Sequence, residues 1–171
     1  AFQYAGDSHS QYTWSRDPVQ DSAADVIRVS LLIPTLDRSG AEKQLTLLAC
    51  GLPRPEFDVE VIALDRGGSY AAVLAESDVS VTIIGKRGRF DPGALRRLKA
   101  HLRQRQPDIL HTWLFAANSY GRTAVDHRTT RVVVSERCVD SWKAGWQFGV
   151  DRLLASRTDC LVANSRSVAE F

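Results

Sequence analysis

The sequence has no methionine, and its 171 residues include only three cysteines, Cys50, Cys138 and Cys160. The cysteines are odd in number and widely spaced, with no C-x-x-C pair and no histidine at metal-ligand spacing. Neither a disulfide framework nor a metal site is therefore indicated. Reduced thiols are typical of cytoplasmic proteins, and we expect that location. Because no initiating methionine is present, we expect the chain to be a segment of a longer protein.

Long hydrophobic runs are also missing. No stretch approaches the roughly 20 apolar residues that a membrane-spanning helix requires, and the first residues lack the charged-then-apolar order of a signal peptide. Residues 1–25 mix polar and aromatic residues and show neither the period of 2 of a strand nor the period of 3.6 of a helix. We therefore interpret them as an extended leader or arm. The chain is 44% hydrophobic, which is enough for residues 26–171 to form one domain around a core.

Positive charge is concentrated in one segment. The formal net charge is only +2, yet residues 86–105 contain eight Lys or Arg and one Asp. Three leucines of this segment have helical spacing, so we expect its basic side chains to face away from them. These basic residues are Arg96, Arg97, Lys99 and Arg103. Their face is either simply solvated or attracted to anionic lipid at the inner face of the membrane. Nucleic acid is disfavoured, because only Phe90 interleaves with the charges.

Six short aliphatic runs alternate with helix-sized segments from residue 26 onward. The runs are VIRVSLLIP (26–34), DVEVIAL (58–64), VSVTII (79–84), DILHT (108–112), RVVVS (131–135) and CLVAN (160–164). Strands that alternate with helices form βαβ units, which place parallel strands in one sheet with helices on both faces. The sequence therefore predicts an α/β protein with a doubly wound, Rossmann-like parallel sheet of order 3-2-1-4-5-6.

Capping residues mark where the helices begin. Ser39 and Glu42 form the S-x-x-E pattern of a capping box, and Asp91 precedes a proline at the start of the leucine-rich helix. We expect Ser141 to cap a longer helix and a final helix to begin at Ser165.

The predicted strand order brings the ends of strands 1 and 4 together. The chain reverses direction across the sheet at this point, and ligands of such sheets bind outside the carboxyl ends of the strands. The loop after strand 1 ends at Gly40. We expect a loop after strand 4 that begins at His111 and passes Trp113 to Asn118. Gly40 lets a ligand approach the backbone, and the first turn of the following helix favours an anion, typically a phosphate.

Purely structural roles for these residues also stay open. Ser39 and Gly40 could make only a tight strand-to-helix turn, because both the G-x-G-x-x-G fingerprint and the P-loop are missing. Asp65 lies where dehydrogenases hold a ribose, but without those glycines it is better explained as a turn residue. His111 could bind a ligand hydroxyl or satisfy a neighbouring backbone group.

The later strand ends carry polar residues with the same ambiguity. Glu136 and Arg137 follow strand 5 and could reach the cleft or form a solvated ion pair. Asn164 and Ser165 follow strand 6 and could contact a ligand or cap a helix. No Ser-His-Asp or Cys-His set is present, and no D-x-D motif lies on a loop, so we expect no metal.

Four stretches together resemble the amino-terminal domain of glycosyltransferase family 4, whose members have the two-domain GT-B fold. They are IPTLDRSGAEKQL (33–45), PDILHTWLFAANSYGR (107–122), VVVSER (132–137) and DCLVANSRSV (159–168). The resemblance covers residues 27–171. It implies that this domain mostly holds the acceptor, while an absent carboxyl-terminal domain, with an E-x7-E motif, mostly holds the nucleotide sugar.

The resemblance also implies roles for particular residues. The turn of Asp37, Ser39, Gly40 and Ala41 would lie against the donor diphosphate and the acceptor, with Ser39 where many members have a first glycine. His111 matches a frequent histidine at the end of strand 4 and would be catalytic. Trp113 stands where some relatives have a second histidine. Donor or acceptor contacts would also come from Asn118, Glu136, Arg137, Asn164 and Ser165.

The implied reaction is sugar transfer with retention of configuration, with the nucleotide sugar as co-substrate and no other cofactor. The acceptor would be a glycan or a lipid-linked sugar in cell-surface polysaccharide or glycolipid synthesis. We expect the enzyme to be peripheral to the cytoplasmic face of the membrane and this chain alone to be inactive. The alternative is a noncatalytic Rossmann-like domain that binds a nucleotide or a protein.

Overall fold

The computed structural model describes residues 26–136 and 145–165. Its strands are β1 (Ile27–Thr35), β2 (Phe57–Arg66), β3 (Ser80–Ile83), β4 (Ile109–Trp113), β5 (Arg131–Glu136) and β6 (Cys160–Ala163). Its helices are α1 (Gly40–Gly51), α2 (Tyr70–Glu76), α3 (Pro92–Arg105), α4 (Leu114–Ala124) and α5 (Gly145–Leu154), followed by a 3-10 turn at Ala155–Arg157. The predicted leader and the predictions for Arg137 and Ser141 lie outside the described residues, as does any helix after Ser165.

The strands form one parallel sheet in the order β3-β2-β1-β4-β5-β6, which confirms the predicted topology. β1 lies at the centre, with β2 on one side and β4 on the other. Each crossover places a helix on one face of the sheet, and the winding reverses where the chain leaves β3 and enters β4 beside β1. The carboxyl ends of β1 and β4 therefore meet at one edge of the sheet.

Alternating residues of the strands supply two separate cores. On β1, Leu31 and Ile33 pack in the core that includes Leu45 of α1 and Leu74 of α2. Leu32 packs on the opposite face, in the core that includes α3 and α4. Because β1 is buried on both faces, it appears in the sequence as a continuous aliphatic run rather than an alternating one.

β4 passes into α4 without a loop. The strand ends at Trp113 and the helix begins at Leu114, so the predicted loop from His111 to Asn118 is wrong. Leu114 has φ +69°, which is uncommon for a residue with a side chain and makes the sharp turn. The segment contains no glycine or proline before Gly121 that would hold it in an irregular conformation.

Of the two predicted helix caps, the one at Asp91 forms and the one at Ser39 does not. Asp91 caps α3, accepting a hydrogen bond from the Ala94 N–H at 3.0 Å, as predicted. Ser39 precedes α1, but its side chain makes no bond to the helix backbone and instead donates to the Glu42 carboxylate. The reciprocal capping box is therefore wrong. Among the described residues, every helix is too short or too polar to cross a bilayer.

Candidate functional site

The first turn of α1 lies at the carboxyl edge of the sheet, next to the end of β4. Gly40 is exposed, and a Cβ built on it would meet no heavy atom within 4 Å. Ala41 behind it is partly buried. Because no side chain caps this turn, its first N–H groups remain available to an anion that approaches over Gly40.

The turn between β1 and α1 is held by the neighbouring β2–α2 connection. Asp37 accepts an ion-paired hydrogen bond from Arg66 at 2.5 Å, and the Tyr70 N–H donates to the Leu36 carbonyl at 3.0 Å. A Cβ on Gly68 would lie 2.3 Å from the Leu36 carbonyl carbon and oxygen. Only glycine permits this backbone contact. Sequence reasoning did not assign Arg66 or Gly68 to the site, although the Arg-Gly-Gly run at the end of β2 was a signal for a close loop contact.

His111 lies within β4, where it is paired with Leu31 of β1 and Val133 of β5. Its Nε2 is 2.8 Å from the Ser135 Oγ, and its ring centroid is 5.1 Å from that of Trp113. The partner is thus a hydroxyl rather than a backbone group. Ser135 was not predicted as a site residue, but the period of two along β5 places it on the same face as Val133.

Trp113 is buried, with 4% of its surface exposed, in the core beneath α1 and α2. It is also the residue that immediately precedes α4. Its ring contacts that of His111, and its side chain belongs to this core rather than to the exposed edge of the sheet.

Asn118 and Glu136 come together, although 18 residues separate them. The Asn118 Nδ2 donates to a Glu136 carboxylate oxygen at 3.1 Å. Asn118 is fully buried, and its Oδ1 has no hydrogen-bond partner within residues 26–136 and 145–165. This contact fixes the end of β5 against α4, two strands from β1.

The remaining predicted residues lie farther from β1. Asn164 and Ser165 are exposed just past β6, the edge strand. Since β6 is three strands from β1 and neighbouring strands lie about 4.8 Å apart, these residues are about 14 Å from β1 across the sheet. Arg137 lies outside the described residues. In the part of the chain that the structure covers, no three His, Cys, Asp or Glu residues cluster as metal ligands would.

The basic residues near α3 divide into separate groups. Lys86 is nearly buried and pairs with Asp65 at 3.0 Å, so Asp65 is a paired strand residue rather than the predicted turn residue. Arg97 donates to the carbonyl oxygens of Ile84 and Gly85 at 2.9 and 3.0 Å, which ties it to the β3–α3 connection.

That connection carries Asp91, whose carboxylate accepts N–H bonds from Arg87 and Ala94. These bonds hold the pKa of Asp91 below its ordinary value. The other predicted basic residues, Arg96, Lys99 and Arg103, are exposed along α3.

The fold is shared with several solved proteins. Alr3699/HepE from Anabaena, solved with UDP and glucose, superposes with a TM-score of 0.67 at 18% identity, covering 84% of this chain and 40% of that protein. A glycosyltransferase from Rickettsia africae gives 0.63 at 15% identity, with 85% and 38% covered. MurG from Acinetobacter baumannii gives 0.60 at 14% identity, with 83% and 42% covered. The chain thus spans about two fifths of each of these proteins.

Sequence comparison identifies the family. No curated protein matches the chain at the sequence level. The model of the family described as Glycosyltransferase Family 4 matches residues 38–171, a range that begins in the β1–α1 turn and includes α1, β4, α4 and every later element. From this match over most of its length, the chain belongs to glycosyltransferase family 4.

Proposed function

We propose that this chain is the acceptor-side domain of a retaining hexosyltransferase that uses a nucleotide-diphosphate sugar. We further propose that the enzyme builds cell-surface polysaccharide or glycolipid. Family membership supports the transferase activity, and HepE, a protein of the same fold, was solved with UDP and glucose. The single observation that carries the proposal is the open, uncapped first turn of α1 at Gly40.

In this proposal the donor diphosphate lies over Gly40, against the N–H groups of Gly40 and Ala41, with Ser39 and Asp37 beside it. The partial positive charge of the helix start stabilises the phosphate charge that increases as the sugar leaves. The bond from the anomeric carbon to the diphosphate oxygen breaks while a bond to the acceptor oxygen forms on the same face. The acceptor proton then passes to the departing diphosphate, which is adjacent on that face.

His111 is proposed as the catalytic side chain of this domain. The contact between its Nε2 and Ser135 fixes the plane of the imidazole, and Trp113 packs beside the ring. A fixed ring can hold a sugar hydroxyl in one orientation, which favours the reacting geometry. Asn118 and Glu136 are proposed to shape the acceptor side of the crevice, with Arg137, Asn164 and Ser165 contacting longer acceptors.

A second domain is proposed to complete the donor site, since this chain covers only 40% and 38% of two of the matched proteins. Closure of two domains would exclude water, which would otherwise hydrolyse the donor. We place the enzyme in the cytoplasm with its basic α3 residues near anionic lipid. Sedimentation with anionic vesicles, which weakens as salt is raised, measures that contact.

Gly40→Val in the full-length enzyme tests the proposed donor site. A Cβ on Gly40 would meet no heavy atom within 4 Å, but the valine would occupy the space proposed for the diphosphate. We therefore expect the Kd for the nucleotide sugar to rise at least about tenfold. The matched control is Gly51→Val at the other end of α1, where a Cβ also meets nothing within 4 Å.

The free energy of unfolding of both variants, measured by urea denaturation, should stay within about 1 kcal/mol of the parent value. Unchanged donor binding and transfer in the Gly40→Val enzyme would show that the diphosphate does not lie over this turn. We also expect the 171-residue chain by itself to give no sugar transfer.

A further inference from the structure

A second cleft lies at the opposite edge of the sheet from the crevice. It is enclosed by the ends of α3 and α4, by the connection from α4 to β5, and by the turn before β6, with a volume of about 560 Å³. These segments precede the amino ends of β4, β5 and β6, whereas Gly40 follows the carboxyl end of β1. The cleft therefore shares no residue with the proposed donor site.

The walls of the cleft carry mostly positive charge. Lys99 and Arg103 line one side, and Arg128 and Arg157 line other parts of it. The carboxylate in its lining, Asp126, is paired with Arg128 at 3.1 Å. Within residues 26–136 and 145–165, Lys99, Arg103 and Arg157 have no ion-pair partner. Three cations thus surround one concave space without a neutralising group.

The net charge favours an anion even after the helix ends are included. Four lining cations and one carboxylate leave an excess of three positive charges. The carboxyl ends of α3 and α4 oppose this with about half an elementary charge each. About two positive charges then remain, which is enough to attract a ligand with several negative charges.

Hydrogen bonds hold the α4–β5 connection in one conformation. The His127 Nε2 donates to the Arg122 carbonyl at 2.7 Å, and the Thr130 hydroxyl donates to the Pro107 carbonyl at 2.7 Å. The N–H groups of Thr129 and Thr130 both donate to the Asp126 carbonyl. A preformed wall of this kind lowers the entropic cost of binding.

We propose that this cleft binds a compact phosphorylated ligand that carries several negative charges. The cations line one concavity, and the buried residues Leu102, Ala124 and Val125 also line it, which provides apolar surface for an organic group attached to phosphate. A flat lipid surface would instead be contacted by the outermost basic residues. Arg96 is also exposed on the same helix but does not line the cleft.

Titration of the 171-residue chain with inorganic tripolyphosphate tests the site. We expect saturable binding that weakens with salt, and a Kd about tenfold higher in each of the variants Arg103→Gln and Arg157→Gln, because each loses a charge-assisted bond to phosphate. Arg96→Gln removes the same charge from the same helix outside the cleft, and its Kd should stay within about twofold of the parent.

Vesicles containing phosphatidic acid distinguish a lipid head group from a soluble ligand. Vesicle binding that is lost in Arg157→Gln and displaced by tripolyphosphate would support the cleft as the binding site of a phosphate head group. Tripolyphosphate binding without vesicle binding would support a soluble ligand. The proposal is overturned if tripolyphosphate does not bind at millimolar concentration, or if Arg96→Gln weakens binding as much as Arg103→Gln does.

Discussion

Glu60 carries a buried carboxylate at the centre of a polar network on β2. It is 3% exposed and accepts from the Ser30 hydroxyl at 2.5 Å. The His101 Nε2 is 2.9 Å from its second oxygen, and the Arg105 Nε is 3.6 Å from the first. A carboxylate this buried is tolerated only because several partners satisfy it.

Removing the Glu60 carboxylate should lower stability. We expect Glu60→Ala to reduce the free energy of unfolding by about 3 kcal/mol, the lower end for a broken buried pair, because His101 and Arg105 are partly exposed and can turn to water. Glu60→Gln keeps an acceptor for Ser30 and should cost only about 1 kcal/mol.

Urea denaturation measures both variants, with Glu56→Ala, an exposed glutamate on the preceding turn, as the control. A loss in Glu60→Ala no larger than in the control would mean that the network does not stabilise the fold.

The sequence predicted where the residues that follow a strand lie, but it did not predict which side chains contact each other. Strand ends can be read from where an aliphatic run stops, so the location of Gly40 at the sheet edge was predictable. The partners of Glu60 are 30 and 41 residues away, and no local pattern marks them. Trp113 was expected in the cleft, but its side chain is buried in the core that includes residues of α1 and α2.

At the scale of elements, α4 approaches the sheet unusually closely at Gly121. A Cβ there would lie 2.5 Å from the Thr112 Cγ2, 3.1 Å from the Leu32 Cδ2 and 3.3 Å from the Leu110 Cδ2. The absence of a side chain lets the helix pack directly over β1 and β4. The sequence predicted both elements, but this glycine inside a helical pattern gives no direct indication of how close they pack.

Gly121→Ala should therefore destabilise the protein although alanine is the better helix former. Overpacking a core costs about 1–3 kcal/mol. The gain in helix propensity from glycine to alanine is only about 1 kcal/mol, so a clash in the upper part of the first range outweighs it. Adding Thr112→Ser removes the nearest methyl group and should recover part of the loss. Gly149→Ala in α5, where a Cβ meets nothing within 4 Å, should leave stability unchanged or raise it. If Gly121→Ala is also stabilising in a thermal melt, the helix can move away without cost.

For the whole molecule, the alternation of strands and helices determined the topology. Six aliphatic runs with helix-length spacers permit few arrangements, because parallel crossovers are right-handed and the faces of the sheet must be covered. The strand order was therefore predictable, as were approximate element boundaries. The strained turn at Leu114 was not, because its cause is the direct succession of β4 and α4 rather than a turn-forming residue.

The two edges of the sheet differ in how their polar groups are satisfied. At the amino edge, Asp108 accepts the backbone N–H of Arg28 at 2.8 Å, and Asp159 accepts that of Val132 at 2.8 Å. These bonds join neighbouring strands at their starts. At the carboxyl edge, the first turn of α1 has no such cap. Bonded carboxylates thus join neighbouring strands at the amino edge, whereas at the carboxyl edge no side chain caps the first N–H groups of α1.

This arrangement predicts loss of stability in acid. Backbone N–H bonds from Arg28 and Val132 are the main reason that the pKa values of Asp108 and Asp159 lie below the ordinary 3.8. A carboxyl with a lowered folded-state pKa contributes its full stabilisation above the unfolded value and loses it as pH falls through the folded value. The contribution of these two carboxyls to the free energy of unfolding should therefore be constant above about pH 5 and decrease as the pH falls below about 4.

The double variant Asp108→Asn, Asp159→Asn tests which groups cause this loss. It keeps an oxygen acceptor at each position but has no charge to titrate, so it should be less stable than the parent at pH 7 and lose less stability between pH 5 and pH 2. Urea denaturation at several pH values measures both effects. A double variant with the same acid dependence as the parent would assign acid unfolding to other carboxyls, such as Asp58, whose pKa is also lowered by a side-chain hydrogen bond from Arg105.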